Sequence, residues 1–348
     1  FALILALLMV FSMVACAAKE ETAKADAPAA DAPAADAPAA DAPADDATAE
    51  EDSVYGGVYG VVMPDVTSSP FYNACLDGII EGIEEMDPDA SYVLGDCAWD
   101  PAVQMDQMND MVTQGVKAFV MIPAGSSAVL EGIEAASKDG IPVCVLDTAT
   151  TDRTYVASTI VSNNLNAGEI SGTAMVDALP DGGKVAILTG VLGAPNLEER
   201  IRGFKETVEG SNIEVMPVQT GNDDDQTSVD VVGQYTAANP DLAAWFFDGG
   251  WPYFADPDAL PEVQKFMENG GHIISVDTCE PMMQYVGMDM VDLLIGQNYP
   301  NMGSLGVETL YKLIKGEDVD LGDETHYIDT GYELVDKSNY EEVWATKA

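Results

Sequence analysis

Four short apolar runs of the sequence end at an aspartate, at Asp65, Asp147, Asp248 and Asp277. A carboxylate accepts hydrogen bonds from hydroxyl groups, and a pair of carboxylates can also act as a general acid and a general base. The chain has only three arginines, which are Arg153, Arg200 and Arg202. Any site that needs a guanidinium group must therefore use one of these three residues.

Motifs for catalysis and for metal binding are missing from the sequence. His272 lies inside an apolar run, and neither it nor His326 has a recognisable Ser or Cys partner motif. The chain has no Walker loop, no GxGxxG pattern after a strand and no HExxH. We therefore predict no catalytic residues, no cofactor and no metal, and a protein that is not an enzyme. Paired carboxylates are nevertheless also what a glycosidase uses.

Four cysteines of the globular body have a spacing that fits no zinc site. They are Cys75, Cys97, Cys144 and Cys279. Cys144 lies in IPVCVLD, a buried-strand pattern, so we predict an inert core thiol there. Whether any pair of these cysteines forms a disulfide stays open at the level of the sequence.

Residues 1–14 form an uncharged apolar run. The run is too short for a membrane-spanning helix, which needs about 20 residues, and it fits the apolar core of an export signal. It lacks an initiator Met and a basic segment, so we expect its start to be truncated. Met13-Val14-Ala15-Cys16 resembles a bacterial lipobox, which implies lipidation of Cys16; an ordinary signal peptide with a chance Cys is the alternative. We assign 1–16 to a lipoprotein signal peptide and expect an exported protein, lipid-anchored to the outer face of the bacterial cytoplasmic membrane.

Residues 17–53 are a low-complexity segment in which Asp-Ala-Pro-Ala-Ala begins at Asp26, Asp31 and Asp36. A period of five residues with regular proline cannot form a packed helix or strand. We therefore predict a disordered, acidic Ala/Pro spacer between the anchor and the globular body.

The composition excludes several classes of partner. The chain has 60 Asp and Glu against 14 Lys and Arg, a formal net charge of −46. Nucleic-acid binding needs clustered Lys and Arg that displace counterions from phosphates, and docking on anionic lipid needs the same charges. We therefore exclude nucleic acid as a partner and expect contact with a membrane only through the lipid anchor. An apolar content of 47% is nevertheless enough for packed cores, and the length suggests about two domains.

From residue 54 onward, short apolar runs typical of strands alternate with amphipathic runs typical of helices. The strand-like runs include VYGVVM (58–63), SYVLGD (91–96), KAFVMIP (117–123), IPVCVLD (141–147), KVAILTG (184–190), IEVMPVQT (213–220), LAAWFFD (242–248) and HIISVD (272–277). Continuous apolar strands that alternate with helices indicate parallel sheets covered on both faces. The pattern restarts near residue 155, so we predict two doubly wound α/β lobes. Ligands of such sheets bind beyond the carboxyl ends of the strands, where the four aspartates lie.

Seven segments of the body together carry a resemblance to a known family. They are SSPFYNACLDGIIEGIEE (68–85), GVKAFVMIPAGSSAVLEGIEAASKDGIPVCVLD (115–147), SNNLNAGEISG (162–172), EERIRGF (198–204), ANPDLAAWFFDGG (238–250), ISVD (274–277) and LLIGQNYPNMGSLGVETLYKLIKGE (293–317). Their order and separation resemble the periplasmic sugar-binding proteins of the ribose and galactose type, the solute receptors of ABC importers. The resemblance covers nearly all of 54–348.

The resemblance implies a periplasmic binding protein type I fold, in which three crossovers form a hinge between the lobes. We place the crossovers near Val161-Ser162, Gln297-Asn298 and Tyr327-Asp329. The N-terminal lobe would then be 54–161 plus 298–327, and the C-terminal lobe 162–297 plus 328–348. The implied function is that of a monomeric receptor, which binds a neutral sugar or sugar-like polyol between the lobes and delivers it to an ABC permease. A signalling receptor of the same fold, for an autoinducer or a sugar, and a nucleoside import receptor are the alternatives.

The resemblance also implies which residues contact the ligand. Asp147 and Asp277 match the two aspartates of the family motif. Arg200 matches the arginine of the cleft, whose forked donors suit neighbouring hydroxyls. Gln297 matches the glutamine at the second crossover, and Asn164 matches a position that either contacts the ligand or supports the first crossover. Phe71 and Tyr72 match an aromatic pair that faces the cleft, and Asp65 joins the set as a strand-end acid.

The sequence also departs from the family pattern. Thr148 stands where the ribose type has an arginine, and Gly249 where the family has an asparagine. The acidic run 223–225 replaces an aromatic residue, so Trp251 or Trp99 could supply the missing stacking face. These departures predict a ligand other than ribose.

The predicted cleft contains more acids than bases, since four strand-end aspartates face one arginine, Arg200. An anionic ligand would meet several buried carboxylates and one guanidinium, which is unfavourable. We therefore expect a neutral or cationic ligand rather than a sugar phosphate or a sugar acid.

Overall fold

The computed structural model describes residues 56–321 and 327–347. The predicted signal peptide, Cys16 and the acidic spacer lie outside these residues. Across 56–321 and 327–347, no helix is both long enough and apolar enough to cross a membrane.

The described residues form thirteen strands. These are β1 (Val58–Met63), β2 (Ser91–Asp96), β3 (Ala118–Met121), β4 (Val143–Leu146), β5 (Ser158–Val161), β6 (Gly183–Thr189), β7 (Ile213–Val215), β8 (Gln219–Thr220), β9 (Leu242–Phe247), β10 (His272–Val276), β11 (Leu293–Gln297), β12 (Tyr327–Asp329) and β13 (Tyr332–Asp336). They build two sheets, ordered β12-β5-β4-β3-β1-β2 and β13-β11-β10-β9-β6-β7, with β8 also paired to β6. All neighbours are parallel except β11 and β13.

The same residues form ten α-helices. These are α1 (Pro70–Met86), α2 (Pro101–Thr113), α3 (Leu130–Lys138), α4 (Asn164–Ala178), α5 (Pro195–Val208), α6 (Asp225–Ala238), α7 (Pro261–Glu268), α8 (Glu280–Gly287), α9 (Tyr299–Lys315) and α10 (Tyr340–Lys347). Two 3₁₀ turns lie at Trp251–Phe254 and Pro257–Ala259. Helices α1, α2, α3 and α9 pack on the first sheet to form the first lobe, and the others form the second lobe with the second sheet.

Each sheet has a hydrophobic core on both faces, as the continuous apolar strands predict. On β1, Tyr59 and Val61 belong to the core shared with α1 and α9, and Val62 belongs to the core shared with α2 and α3. The second sheet likewise separates two cores. Two doubly wound parallel-sheet lobes are therefore confirmed. The four cysteines of the described residues are buried thiols.

The chain passes between the lobes three times: from β5 to α4, from β11 to α9, and from β12 to β13. The first and third passages are hydrogen-bonded to each other, because the backbone N–H of Asn163 donates to Asp329 at 3.0 Å. The predicted lobe boundary after Tyr327 was wrong. Ile328 and Asp329 pair with β5 of the first sheet, so the third crossover lies between Asp329 and Tyr332.

The structure differs from the predicted strands at one informative place. The run 213–220 forms the two short strands β7 and β8, because Pro217, which has no N–H to donate, interrupts the pairing with β6. Helix α9 begins at Tyr299, directly after the second crossover. Asn298 caps it by accepting from the N–H of Asn301 at 3.3 Å, and a proline in the first turn suits this start.

Candidate functional site

Two aspartates occupy matching positions at the carboxyl ends of the two sheets. Asp147 follows β4 and donates its backbone N–H to Ile160 at 3.0 Å, and Asp277 follows β10 and donates to Ile295 at 2.9 Å. Their φ angles are 61° and 80°, a left-handed conformation that is rare outside glycine and that clusters at ligand-binding positions. Both side chains are buried.

A chain of hydrogen bonds connects these two aspartates across the second crossover. Gln297 Nε2 lies 2.7 Å from Asp277 Oδ1, to which it donates, and 3.0 Å from the Tyr299 hydroxyl oxygen. The Tyr299 hydroxyl donates to Asp147 Oδ1 at 3.2 Å. Because Gln297 ends β11 and Tyr299 begins α9, this chain joins the polar groups of the second lobe to those of the first.

Each of the two carboxylates also has a second donor. Thr148 Oγ1 donates to Asp147 Oδ2 at 2.9 Å, and the backbone N–H of Gly250 donates to Asp277 Oδ2 at 3.2 Å. Burial raises the pKa of Asp147, although the hydrogen bond from Thr148 and the positive charge of Arg200 oppose this effect. The site therefore holds its carboxylates by hydrogen bonds within a low-dielectric environment.

Arg200 lies on α5 and is only 3% exposed. Its Nε donates to Asn164 Oδ1 at 2.8 Å, and its Nη1 donates to the backbone carbonyl of Asp248 at 2.8 Å. Burial alone lowers the pKa of Arg200, but the charges of Asp277 and Asp248 raise it overall. The guanidinium is therefore charged, and Asn164 fixes its orientation from the first turn of α4.

Asp248 is a fully buried acid beside Arg200. Its Oδ2 accepts from Thr189 Oγ1 at 2.7 Å, whereas its Oδ1 has no hydrogen-bond partner among the described residues. Burial raises the pKa of Asp248 to about 7, against the opposing effects of Arg200 and Thr189. Asp248 thus provides a buried polar atom that the described residues leave without a hydrogen-bond partner.

The side chains of Asp147, Tyr299, Gln297, Asp277, Arg200 and Asp248 together form a polar group. Phe71 and Tyr72, at the start of α1, lie beside this polar group. The Phe71 ring is 5.3 Å from that of Tyr299 and 5.8 Å from that of Phe254 in the second lobe. Burial raises the pKa of Tyr72, and so do the charges of Asp147 and Asp277. Tyr72 is therefore close to both aspartates, and Phe71 packs against both lobes.

The two candidate tryptophans lie on different lobes. Trp99 is 54% exposed, and its ring centroid is 5.8 Å from that of Tyr72 in the first lobe. Trp251 packs over Gly190 and Gly249 in the second lobe; a Cβ atom at either glycine would lie 2.7 Å from its ring. The glycine that replaces the expected asparagine therefore makes room for the Trp251 ring.

Asp65 does not join the group of buried aspartates. Its carboxylate accepts from the backbone N–H groups of Ser68 at 2.9 Å and Thr67 at 3.2 Å, within its own loop. Burial raises the pKa of Asp65, but the hydrogen bonds from Ser68 and Thr67 outweigh burial and lower it overall. Its structural role is to close the loop between β1 and α1.

A cavity of about 670 Å³ adjoins the group at Asp147 and Thr148. It extends along the first and third crossovers, where Asn164 and Asp329 line it. Small-molecule sites typically have volumes of about 300–1,000 Å³.

Sequence reasoning missed Tyr299 and gave Asp248 no ligand role. Tyr299 is the only residue of the group that contacts both Asp147 and Gln297 among the described residues. A tyrosine two residues after the predicted crossover glutamine was a usable signal.

Comparison with known proteins gives a family match over most of the chain. A family described as "Periplasmic binding protein domain" matches residues 59–318. The ribose import binding protein RbsB of Haemophilus influenzae is 27% identical over 252 residues, which are 72% of this chain and 84% of that protein. The D-apiose import binding protein of Actinobacillus succinogenes is 26% identical over 53% of this chain and 59% of its own length.

Solved structures share the fold. An ABC transporter solute-binding protein from Bacillus halodurans with bound myo-inositol superposes with a TM-score of 0.72 at 18% identity, covering 85% of this chain and 99% of that chain. A solute-binding protein from Burkholderia graminis in complex with D-arabinose superposes with a TM-score of 0.72 at 24% identity. The match covers 83% of this chain and 98% of that chain.

Proposed function

Because the chain belongs to the periplasmic binding protein family and has its type I fold, we propose that it is an extracytoplasmic solute receptor. It binds a neutral sugar or sugar-like polyol between its lobes, without a catalytic step, and delivers it to the permease of an ABC importer. One observation carries this proposal: Asp147, Tyr299, Gln297 and Asp277 form a hydrogen-bonded chain between the lobes.

The chemistry of the group suits a polyhydroxylated ligand. Sugar hydroxyls both donate and accept, so they need carboxylate acceptors and forked donors at close range. Asp147 and Asp277 supply acceptors from opposite lobes, and Arg200 supplies donors next to them. The rings of Phe71 and Tyr72 offer apolar faces beside these polar groups, which is the arrangement that C–H stacking of a sugar requires.

The charges favour a neutral ligand over an anionic one. Asp147 and Asp277 are buried near Arg200, whose guanidinium already donates to Asn164 and to a backbone carbonyl. A phosphate or carboxylate on the ligand would add a further negative charge in a low-dielectric site. Tight binding of a sugar phosphate would contradict this part of the proposal.

The proposal also includes delivery of the ligand to a permease and a lipid anchor at Cys16, which lies outside the described residues. Relatives named as import binding proteins support a role in ABC import. The lipobox-like residues 13–16 support lipidation at Cys16, and the acidic spacer would then hold a monomeric body away from the outer face of the membrane. Radiolabelled palmitate incorporated by the chain, and lost in Cys16→Ala, would test the anchor.

A thermal-shift screen of the full chain tests the proposed ligand class. Pentoses, hexoses, polyols, nucleosides and autoinducers are compared, and a ligand at 100 times its Kd stabilises the fold by about 2.7 kcal/mol. We expect a neutral sugar or polyol to give the shift. A shift from nucleosides or autoinducer alone would replace the proposed ligand, and no shift from any of these compounds would refute the proposal.

Two arginines of α5 provide a matched pair of variants. Arg200→Ala should abolish the ligand-induced shift, because it removes the buried donors next to Asp277. Arg202→Ala should preserve the shift, because Arg202 is half exposed and pairs with Glu199 and Glu206 on the helix surface. Equal shifts in both variants would contradict the assignment of Arg200.

A further inference from the structure

The cavity at Asp147 extends well beyond the polar group. Its volume of about 670 Å³ lies between the residues that follow β4 in the first lobe and the first turns of α4 and α5 in the second. Neither Asp277 nor Gln297 lines it, so the cavity lies to one side of the hydrogen-bonded chain. It begins where that chain ends, at Asp147.

The short side chain of Thr148 leaves this space unfilled. Thr148 lines the cavity, and its hydroxyl turns back to Asp147 Oδ2 at 2.9 Å. The ribose-type pattern has an arginine at this position, which is several atoms longer and would project into the same region.

The lining mixes apolar side chains with polar groups, and it carries no positive charge. It contains the carboxylates of Asp147, Glu199 and Asp329, the amides of Asn164 and Asn196, and no Lys or Arg. Asn196 makes no side-chain hydrogen bond to the described residues, so its amide is available to a ligand. Such a lining suits hydroxyl groups and disfavours phosphate and carboxylate substituents.

Two residues connect the cavity with the polar group. Asp147 belongs to both, and Asn164 lines the cavity while its Oδ1 accepts from Arg200 Nε at 2.8 Å. A ligand held by Asp147 and Arg200 can therefore extend into the cavity and still contact polar side chains there.

We propose that this cavity is a second subsite, and that the chain binds a neutral disaccharide whose first ring contacts the aspartates and whose second ring occupies the cavity. The inference rests on the proposed sugar-binding function. It adds a ligand size and a second set of contacts, centred on Thr148, Asn164 and Asn196.

Calorimetry of the full chain tests the subsite with paired sugars. The probes are cellobiose, maltose and xylobiose, each compared with D-glucose or D-xylose. We expect at least one disaccharide to bind about tenfold or more tightly than its monosaccharide, because a second set of hydrogen bonds forms only with the second ring.

Asn196→Trp places a large ring in the cavity from the first turn of α5 in the second lobe. It should weaken disaccharide binding about tenfold or more and leave monosaccharide binding unchanged. Gln226→Trp is the matched control, because Gln226 is also the second residue of its helix, α6, and lies outside the cavity. Thr148→Arg fills the cavity from the other lobe and should also reduce disaccharide binding.

The possible results separate the two proposals. Monosaccharide binding without any gain from a second ring overturns the subsite and leaves the sugar receptor intact. Equal loss of both ligands in Asn196→Trp also overturns it, because the cavity would then hold the single sugar. If no sugar binds, the receptor proposal and the subsite fail together.

Discussion

The two lobes repeat one scaffold so closely that residues can be paired between them by counting. Each has a first helix that begins with a proline, α1 at Pro70 and α5 at Pro195, and a helix that enters over a crossover, α9 or α4. The entering helix packs against the first helix in both lobes. The fifth residue of each entering helix is a glycine, Gly303 or Gly168.

The repeated scaffold presents different chemistry at equivalent positions. Arg200 is the sixth residue of α5, and the sixth residue of α1 is Cys75, a buried thiol whose pKa is raised by burial. The first residue of the entering helix is Asn164 in the second lobe and Tyr299 in the first. The equivalent positions therefore hold a guanidinium and an amide in the second lobe, and a thiol and an aromatic hydroxyl in the first.

This difference separates the residues that form the shared scaffold of the site from the residues that recognise the ligand. The strand-end aspartates Asp147 and Asp277, both with positive φ, belong to the shared scaffold. The buried pair of Arg200 and Asp248 belongs to the second lobe alone. We therefore expect equal perturbations of the scaffold to cost equal stability in the two lobes but to affect binding unequally.

The largest expected effect comes from the helix contacts. A Cβ atom at Gly303 would lie 2.2 Å from the Cys75 carbonyl oxygen, and one at Gly168 would lie 2.1 Å from the Arg200 carbonyl oxygen. Gly303→Ala and Gly168→Ala must therefore push helix backbones apart, and each should lower the free energy of unfolding by about 3 kcal/mol. Urea unfolding followed by tryptophan fluorescence measures both.

Ligand binding should distinguish the two glycine variants. Gly168→Ala displaces the backbone of Arg200 and should weaken sugar binding more than Gly303→Ala, which displaces Cys75, a residue outside the polar group. Gly233→Ala on α6 is the control, because no atom lies within 4 Å of its added Cβ; it should stabilise the helix by about 0.5–1 kcal/mol. Equal losses of affinity in the two lobes would refute the proposed division of roles.

The next effect concerns the buried acid of the second lobe. The pKa of Asp248 is raised to about 7 from an ordinary value of 3.8, so between these pH values the native state keeps a proton that the unfolded chain has lost. Its contribution to stability therefore falls as the pH rises from about 4 to about 7. Asp248→Asn removes this loss. The free energy of unfolding of the variant minus that of the wild type should therefore be about 2–3 kcal/mol larger at pH 8 than at pH 5.

Asp65, a strand-end acid of the first lobe, is the control for this pH dependence. Its pKa is lowered by the hydrogen bonds of its loop, which outweigh burial, so it is ionised in both the folded and the unfolded chain at pH 5 and at pH 8. Asp65→Asn should therefore change stability by the same amount at the two pH values. A similar pH dependence in the two variants would show that burial of Asp248 is not its cause.

The sequence predicted the scaffold well because the scaffold follows from local patterns. Continuous apolar strands alternating with amphipathic helices specify doubly wound sheets, and the strand-end positions of Asp147 and Asp277 follow from that arrangement. Short elements with weaker patterns were missed: the helices Pro261–Glu268, Glu280–Gly287 and Tyr340–Lys347 and the strands Tyr327–Asp329 and Tyr332–Asp336.

The partners of the polar side chains depend on tertiary contacts that the sequence does not display. Asp65 and Asp147 have the same strand-end pattern, but Ser68 and Thr67 satisfy the carboxylate of Asp65 within its loop. The spacing Asp-x-x-Ser was a readable sign of that local closure. The position of Tyr299 beside the predicted crossover was readable, but its partner Asp147 was not, because their contact joins residues 152 positions apart.

The smallest expected effect tests the link between the lobes. Tyr299→Phe keeps the ring beside Phe71 but removes the hydroxyl between Asp147 and Gln297, so it should lower the free energy of unfolding by about 1 kcal/mol and weaken sugar binding severalfold. Tyr311→Phe on the same helix is the control, because the Tyr311 hydroxyl makes no hydrogen bond to the described residues. If the two variants bind sugar equally well, the hydrogen-bonded chain does not contribute to recognition. If Tyr299→Phe weakens binding as strongly as Arg200→Ala, recognition is shared equally by the two lobes, and the second lobe does not dominate it.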